Sequence, residues 1–185
     1  MLAIVLAATS LLLVSCPRPD ARGLLPPDWR SWRKTTELVL NYPIPGHEDR
    51  LRVPRMNDTG FSSVPNSSAS PGTWDFPPGT IIAKEVYASK APAADETPII
   101  ATAMIKAPGD PRAKGGWIWV SKDLATGKES VFTTAFCVTC HANANEAHPY
   151  GDKNPKAEFR DFVFIVPLAS TVPAPAAKTE YGAAQ

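Results

Sequence analysis

The stretch TIIAKEVYAS, residues 80–89, decides the fold. Its apolar residues keep a period of two. Ile82, Lys84 and Val86 share one face, and Ile81, Ala83, Glu85 and Tyr87 share the other. The segment therefore reads as a strand. Four more runs of this kind follow: PIIATAMIKA (98–107), GWIWVS (116–121), the segment 130–136, and DFVFIVP (161–167). The connections PGDPRAKGG and DLATGK carry turn chemistry. Upstream, residues 49–56 predict another strand, at an edge or bent, because Pro54 has no amide hydrogen to give a ladder. Short connections between such runs predict an antiparallel sheet.

The expected class is mainly β, an antiparallel sheet with a few helices. One of these is an N-terminal helix within residues 24–41. Pro26-Pro27 leads to Asp28 as N-cap, and Trp29, Trp32, Thr36, Val39 and Leu40 then recur at helical spacing toward a core. The 20 prolines argue against a helical bundle. Residues 57–75, rich in Ser, Asn, Pro and Gly, read as a long loop of the kind that carries function or mobility.

The 185 residues suit one domain. With 19 Lys+Arg against 18 Asp+Glu, the formal net charge is +1, which lacks the basic surplus of a nucleic-acid binder. The start, MLAIVLAATSLLLVSC, has 15 apolar or small residues before Cys16. That falls short of the roughly 20 residues a membrane span needs and fits a secretory signal. Leu13-Val14-Ser15-Cys16 resembles a lipoprotein cleavage box, with Cys16 as the acylated residue. An ordinary signal peptide cut elsewhere is the alternative. The expected organisation is a lipoprotein-type signal at 1–15, a tether at 16–24, the folded domain at 25–168 and a disordered tail at 169–185. The expected location is the periplasm, on a lipid anchor.

Two of the three cysteines stand in FCVTCHANANEAH, residues 136–148. Cys137, Cys140 and His141 form C-x-x-C-H, the haem c attachment pattern. The thiols add across the two vinyl groups, and His141 supplies the proximal imidazole to the iron. A zinc site would need about four ligands, and His47 and His148 stand at no standard spacing from the motif. A thioredoxin-like dithiol would need a βαβ context. A structural disulfide leaves the histidine unexplained. Motif and export signal agree on one covalently attached haem c with its iron, and a short haem-binding helix is expected at C-x-x-C-H.

Lys84 is a lysine between Ile82 and Val86 on an apolar strand face. Desolvation would favour its neutral, nucleophilic amine. The alternative is a lysine that snorkels to solvent.

The run FPPGTIIAKE, then GGWIWV, then CVTCH, then DFVF resembles the cytochrome P-460 family, over about residues 29–167. The resemblance implies an antiparallel β fold with some helix, commonly homodimeric, and a five-coordinate haem with an open distal side. It implies that Lys84, in GTIIAKE, bonds to a meso carbon of the porphyrin. It also implies a distal arginine, best matched by Arg52 in RLRVPRMN, with Arg50 and Arg55 as rivals, which would donate to a bound nitrogen oxide. Hydroxylamine-oxidising members carry a carboxylate where this chain has Thr102, and no acid lies between Pro98 and Pro108. Glu85 falls on the wrong face, and only loop placement would bring in Asp75, Asp95 or Glu96. Met56, Met104, His47 and His148 are the possible sixth ligands, and the position is left open.

The expected function is redox conversion of hydroxylamine or nitric oxide, with Lys84 and Arg52 as the catalytic residues. The alternatives are nitric oxide binding, as in the family's β-sheet cytochrome c′ members, and simple electron transfer. The expected partners are a small gaseous or nitrogen-oxide ligand, a redox protein, the membrane and a second copy of the chain.

Overall fold

Strands β1 (Arg33–Lys34), β2 (Arg52–Met56), β3 (Ile81–Val86), β4 (Ile100–Lys106), β5 (Trp117–Asp123) and β6 (Glu129–Val131) pair in chain order as one antiparallel sheet. The computed structural model describes residues 23–44, 47, 49–63, 74–148 and 153–164. The signal segment, Cys16, most of the tether and the tail lie outside the described residues.

The period-two reading of residues 80–89 holds, and the register carries it across the sheet. Met56 pairs with Ile82, Ile82 with Met104, and Met104 with Trp119. These four side chains form a buried row on one face, joined by Phe61, Trp74, Phe76, Trp117 and Val163. The next row on that face runs Pro54, Lys84, Thr102 and Ser121. On the opposite face, Ala83, Ala101, Ala103, Ile118 and Val120 pack against Leu25 and Trp29. Three alanines keep that face low, so the N-terminal segment can lie close to it. Its entry is fixed by Glu129, which accepts from the amides of Leu24 (2.6 Å) and Leu25 (3.3 Å).

Pro54 stands where its missing donor costs least. Its carbonyl accepts from Thr35 N (3.0 Å), so its nitrogen faces the β1 flank, where that strand is only two residues long.

Four expectations need correction. The N-terminal helix is a single 3-10 turn, Trp29–Ser31, and Asp28 makes no side-chain cap bond. After Trp32 the backbone extends, and Arg33 and Lys34 pair with Met56 and Arg55. The ladder with β2 outweighs a weak helical preference in a stretch that holds Thr35 and Thr36. Trp29 and Leu40 are buried, whereas Val39 is 66% exposed, so the helical stripe was not a face at all.

The segment 161–164 is a turn rather than a strand, with Asp161 (φ 49°) and Phe162 (φ 68°) left-handed. The remainder of that run, 165–167, lies outside the described residues. The strand expected over 130–136 ends at Val131. The loop expected at 57–75 opens with a short helix, α1 (Asp58–Phe61), capped by Asn57, whose side chain accepts from Gly60 N. The second helix, α2 (Phe136–Ala142), continues into a 3-10 turn at Asn143–Asn145 and carries the cysteine motif, as the sequence implied.

Candidate functional site

Helical geometry gathers the motif. Residues three and four apart share a helix face, so Cys137, Cys140 and His141 project together from α2. They enter a cavity of about 310 Å³ whose lining also includes Arg52, Lys84, Thr102 and Met104 from the sheet and His47 from the chain before β2. The wall is mostly apolar, with Ile82, Trp119, Val163 and Phe164. Tyr42, Phe132 and Phe136 also line it and stay partly exposed.

α2 is seated by a close approach. A Cβ on Gly115 would come 2.8 Å from Val138 Cγ2 and 2.9 Å from the Phe162 ring, and Gly115 sits at φ +64°. Only glycine lets the β4–β5 turn come so near the helix.

His141 is oriented by its backbone partner. Its Nδ1 lies 2.8 Å from Phe162 O. A carbonyl can only accept, so Nδ1 carries the proton and Nε2 keeps a lone pair. Trp119 packs 4.8 Å from the ring, centroid to centroid. Burial pushes the His141 pKa down to about 4, which keeps the imidazole neutral.

The turn that supplies the Phe162 carbonyl is held from two sides. Asn145 Oδ1 accepts from Arg160 N (2.8 Å) and Phe162 N (3.2 Å). Asp161, 1% exposed, accepts from Lys106 Nζ (2.6 Å), Phe76 N (2.9 Å) and Trp117 Nε1 (3.1 Å). Two successive left-handed non-glycine residues are strained, and these bonds hold them in place. Sequence reading missed this support. Its signal was an aspartate opening the apolar run DFVF.

Lys84 is half-buried and borders the cavity. Desolvation, with the Arg52 charge nearby, lowers its pKa to about 7. Its Nζ lies 3.2 Å from both ring nitrogens of His47. Lys84 faces inward with the Met56–Trp119 face, so the snorkelling alternative does not hold. Glu85 points the other way, toward Arg55 (3.5 Å) and Arg30 (3.9 Å).

Arg52 is 4% exposed. Its Nε donates to Leu40 O (3.2 Å), and its Nη2 donates to Tyr42 O. Its Nη1 is buried with no hydrogen-bond partner. Of the rivals, Arg55 spends its Nη1 on Trp32 O (2.9 Å) and faces Glu85. Arg50 is not among the cavity residues.

Among the described residues, no Asp or Glu stands in the cavity lining. Asp75 is 78% exposed beside Lys106, and Glu96 accepts from Ala93 N. Thr102 lies opposite Lys84 in the register. Among the described residues no three His, Cys, Asp or Glu gather as ligands for a single ion, so the zinc alternative finds no ligand set there. Cys137 and Cys140 are not joined in a disulfide.

This donor set fits a haem: two thiols on one helix face, a neutral imidazole with a free Nε2, and an apolar cavity in front of them. The family model described as Cytochrome P460 matches residues 26–165. No curated protein matches the chain.

Proposed function

We propose, for a chain that belongs to the cytochrome P460 family, a haem c protein of the periplasm that acts on small nitrogen species, hydroxylamine or nitric oxide. Family membership makes it a haem protein. The single observation that carries the finer reading is the convergence of His141, Lys84 and a buried Arg52 with a spare donor on one apolar cavity.

Bound haem iron would supply the coordination site and a redox couple that passes electrons between the small ligand and a redox partner. Cys137 and Cys140 hold the group through their sulfurs. His141 would offer its Nε2 to the iron, and the Phe162 carbonyl, by accepting from Nδ1, raises the basicity of the imidazole. Arg52 Nη1 offers a charge-assisted donor to an oxygen of the ligand, in a place where water competes poorly. Lys84, whose pKa burial lowers to about 7, is the residue that would bond to the porphyrin edge, its N–H and a ring C–H giving way to a C–N bond as two protons leave and two electrons pass to an external oxidant such as a peroxide. The apolar run before Cys16 supports export and a lipid anchor. A redox protein and a second copy of the chain complete the proposed partners.

Nitric oxide binding without turnover is the second reading, favoured because none of the described residues that line the cavity is an acid. Oxidising hydroxylamine requires a proton acceptor within reach.

The test is anaerobic titration of the holoprotein with nitric oxide and with hydroxylamine plus an electron acceptor. Turnover of hydroxylamine supports the first reading, and a stable nitrosyl adduct without turnover supports the second. Failure to bind either ligand contradicts both. Tryptic mapping is expected to find the Lys84 peptide joined to the haem-bearing CVTCH peptide, and Lys84→Met to abolish that linkage and the accompanying red shift of the Soret band. Separate peptides in the wild type would remove Lys84 from this role.

A further inference from the structure

We propose that Thr35 selects the ligand of this cavity. Its hydroxyl, together with the spare donor of Arg52, forms a two-point site for the outer oxygen or nitrogen atom of a small molecule held at the iron. The proposal rests on the haem reading above and deepens it, since it names what would tell one such molecule from another.

The short ladder between β1 and β2 sets the direction of Thr35. Arg33 pairs with Met56 and Lys34 with Arg55, and Thr35 N then donates to Pro54 O (3.0 Å). Side chains alternate along extended backbone, so Thr35 shares the face of Arg33. That is the core face, because the Arg33 guanidinium lies 3.7 Å from the ring centre of Phe61, a member of the Met56 cluster. On β2 the buried residues are Arg52, Pro54 and Met56, with Val53 and Arg55 half-buried between them. Thr35 therefore lines the same cavity as Arg52, beside a proline two residues further along the strand.

Both side chains end in atoms that the fold leaves unused. Thr35 is 3% exposed, and among the described residues its Oγ1 has no hydrogen-bond partner. Arg52 Nη1 is in the same condition. Burying an unpaired hydroxyl opposes folding, and valine would fill the same space without that cost. The hydroxyl is accounted for when it meets a molecule that enters the cavity. Thr80 supplies the contrast. It is also buried with an unpaired Oγ1, but it does not line the cavity.

A guanidinium can only donate, and a hydroxyl can turn to donate beside it. The pair suits a ligand whose outer atom carries partial negative charge, as in bound nitric oxide, nitrite or azide. Carbon monoxide gains little, because its oxygen is a poor acceptor. Thr35 makes and breaks no covalent bond in this role.

Azide affinity of the ferric holoprotein and the infrared C–O stretch of its ferrous carbon monoxide adduct test this, after intact mass has established that haem is attached. Thr35→Val is expected to weaken azide binding about three- to tenfold and to change carbon monoxide affinity by less than about twofold. It should also raise the C–O stretching frequency, because a nearby donor draws that frequency down. Its thermal midpoint should equal or exceed that of the wild type, since a methyl replaces an unpaired hydroxyl. Thr35→Ser keeps the hydroxyl and is expected to retain azide affinity. Thr80→Val should leave azide affinity and the C–O stretch as they are. Azide affinity and C–O stretch unchanged in Thr35→Val overturn the proposal. So does a clearly lowered midpoint in Thr35→Val, which would show that the hydroxyl already serves the fold, and so does an equal loss of azide affinity in Thr35→Ser or Thr80→Val. A chain that carries no haem, or binds neither azide nor carbon monoxide, overturns the underlying reading as well. A haem-bearing chain that binds both and is indifferent to Thr35→Val overturns this proposal alone.

Discussion

Arg52 places a guanidinium inside the sheet, and burial lowers its pKa from the ordinary value. Two of its nitrogens hold the carbonyls of Leu40 and Tyr42, and the third lacks a protein partner. A side chain of this kind braces the loop and keeps a donor in reserve. Arg52→Met removes both bonds; Leu40 O keeps the Arg52 amide as donor (2.9 Å), whereas Tyr42 O loses its guanidinium donor, which is expected to cost about 1–3 kcal/mol. Arg52→Lys should recover only part of that loss, because an ammonium cannot reproduce the planar fork. Chemical denaturation of the holoproteins measures both. A midpoint unchanged in Arg52→Met would show that Arg52 does not brace the loop. The residue was found by resemblance, and its match was one of three arginines. The structure separates them by what each faces, which a sequence does not record.

Among the elements, α2 depends on the turn at 160–163, and that turn depends on Asp161. Lys106 is 10% exposed in its side chain and Asp161 1%, so the ion pair is largely shielded from water. Asp161→Ala leaves the Trp117 indole and the Phe76 amide without their acceptor, and leaves the Lys106 charge only the exposed Asp75 at 3.4 Å. Breaking a buried pair in this way is expected to cost about 3–5 kcal/mol. It should also shift the reduction potential, because the carbonyl that holds His141 loses its anchor. A variant with wild-type stability and potential would contradict this support.

The β4–β5 turn makes a prediction in pH. Asp110 accepts from Arg112 through Nε (2.9 Å), Nη2 (2.7 Å) and the amide (2.8 Å). These bonds lower its pKa from 3.8 to about 2. A folded value below the unfolded one gives stability that is present above 3.8 and lost as pH falls through about 2. The stability advantage of the wild type over Asp110→Asn should therefore shrink between about pH 5 and pH 2, and an advantage constant with pH would refute it. Strands β3, β4 and β5 and the helix at the motif were legible in the sequence, because periodicity and motif act over a few residues. The N-terminal segment and DFVF were misread, because long-range partners decide them. Arg33 pairs with Met56, and Asp161 answers to Lys106 and Trp117.

At the scale of the molecule, one sheet divides two environments. Its small-residue face takes Leu25 and Trp29, and its other face takes the large core and the cavity. A charged row set into the second face runs against burial unless a bound group occupies that space. Lys84 and Arg52 make sense together with Cys137, Cys140 and His141 as the wall of a haem pocket in a cytochrome P460 family member. His47, one of four possible sixth ligands in the sequence, stands in that wall, and nothing local in its sequence sets its ring 6.4 Å from that of His141. The measurement that tests the whole account most directly is the intact mass of the chain, matured in a host that attaches haem c, before and after acid–acetone extraction. The account predicts one haem retained through extraction, and its loss in the Cys137→Ala, Cys140→Ala double variant. A wild-type chain that weighs no more than its polypeptide and any lipid, and shows no Soret absorption, would contradict it.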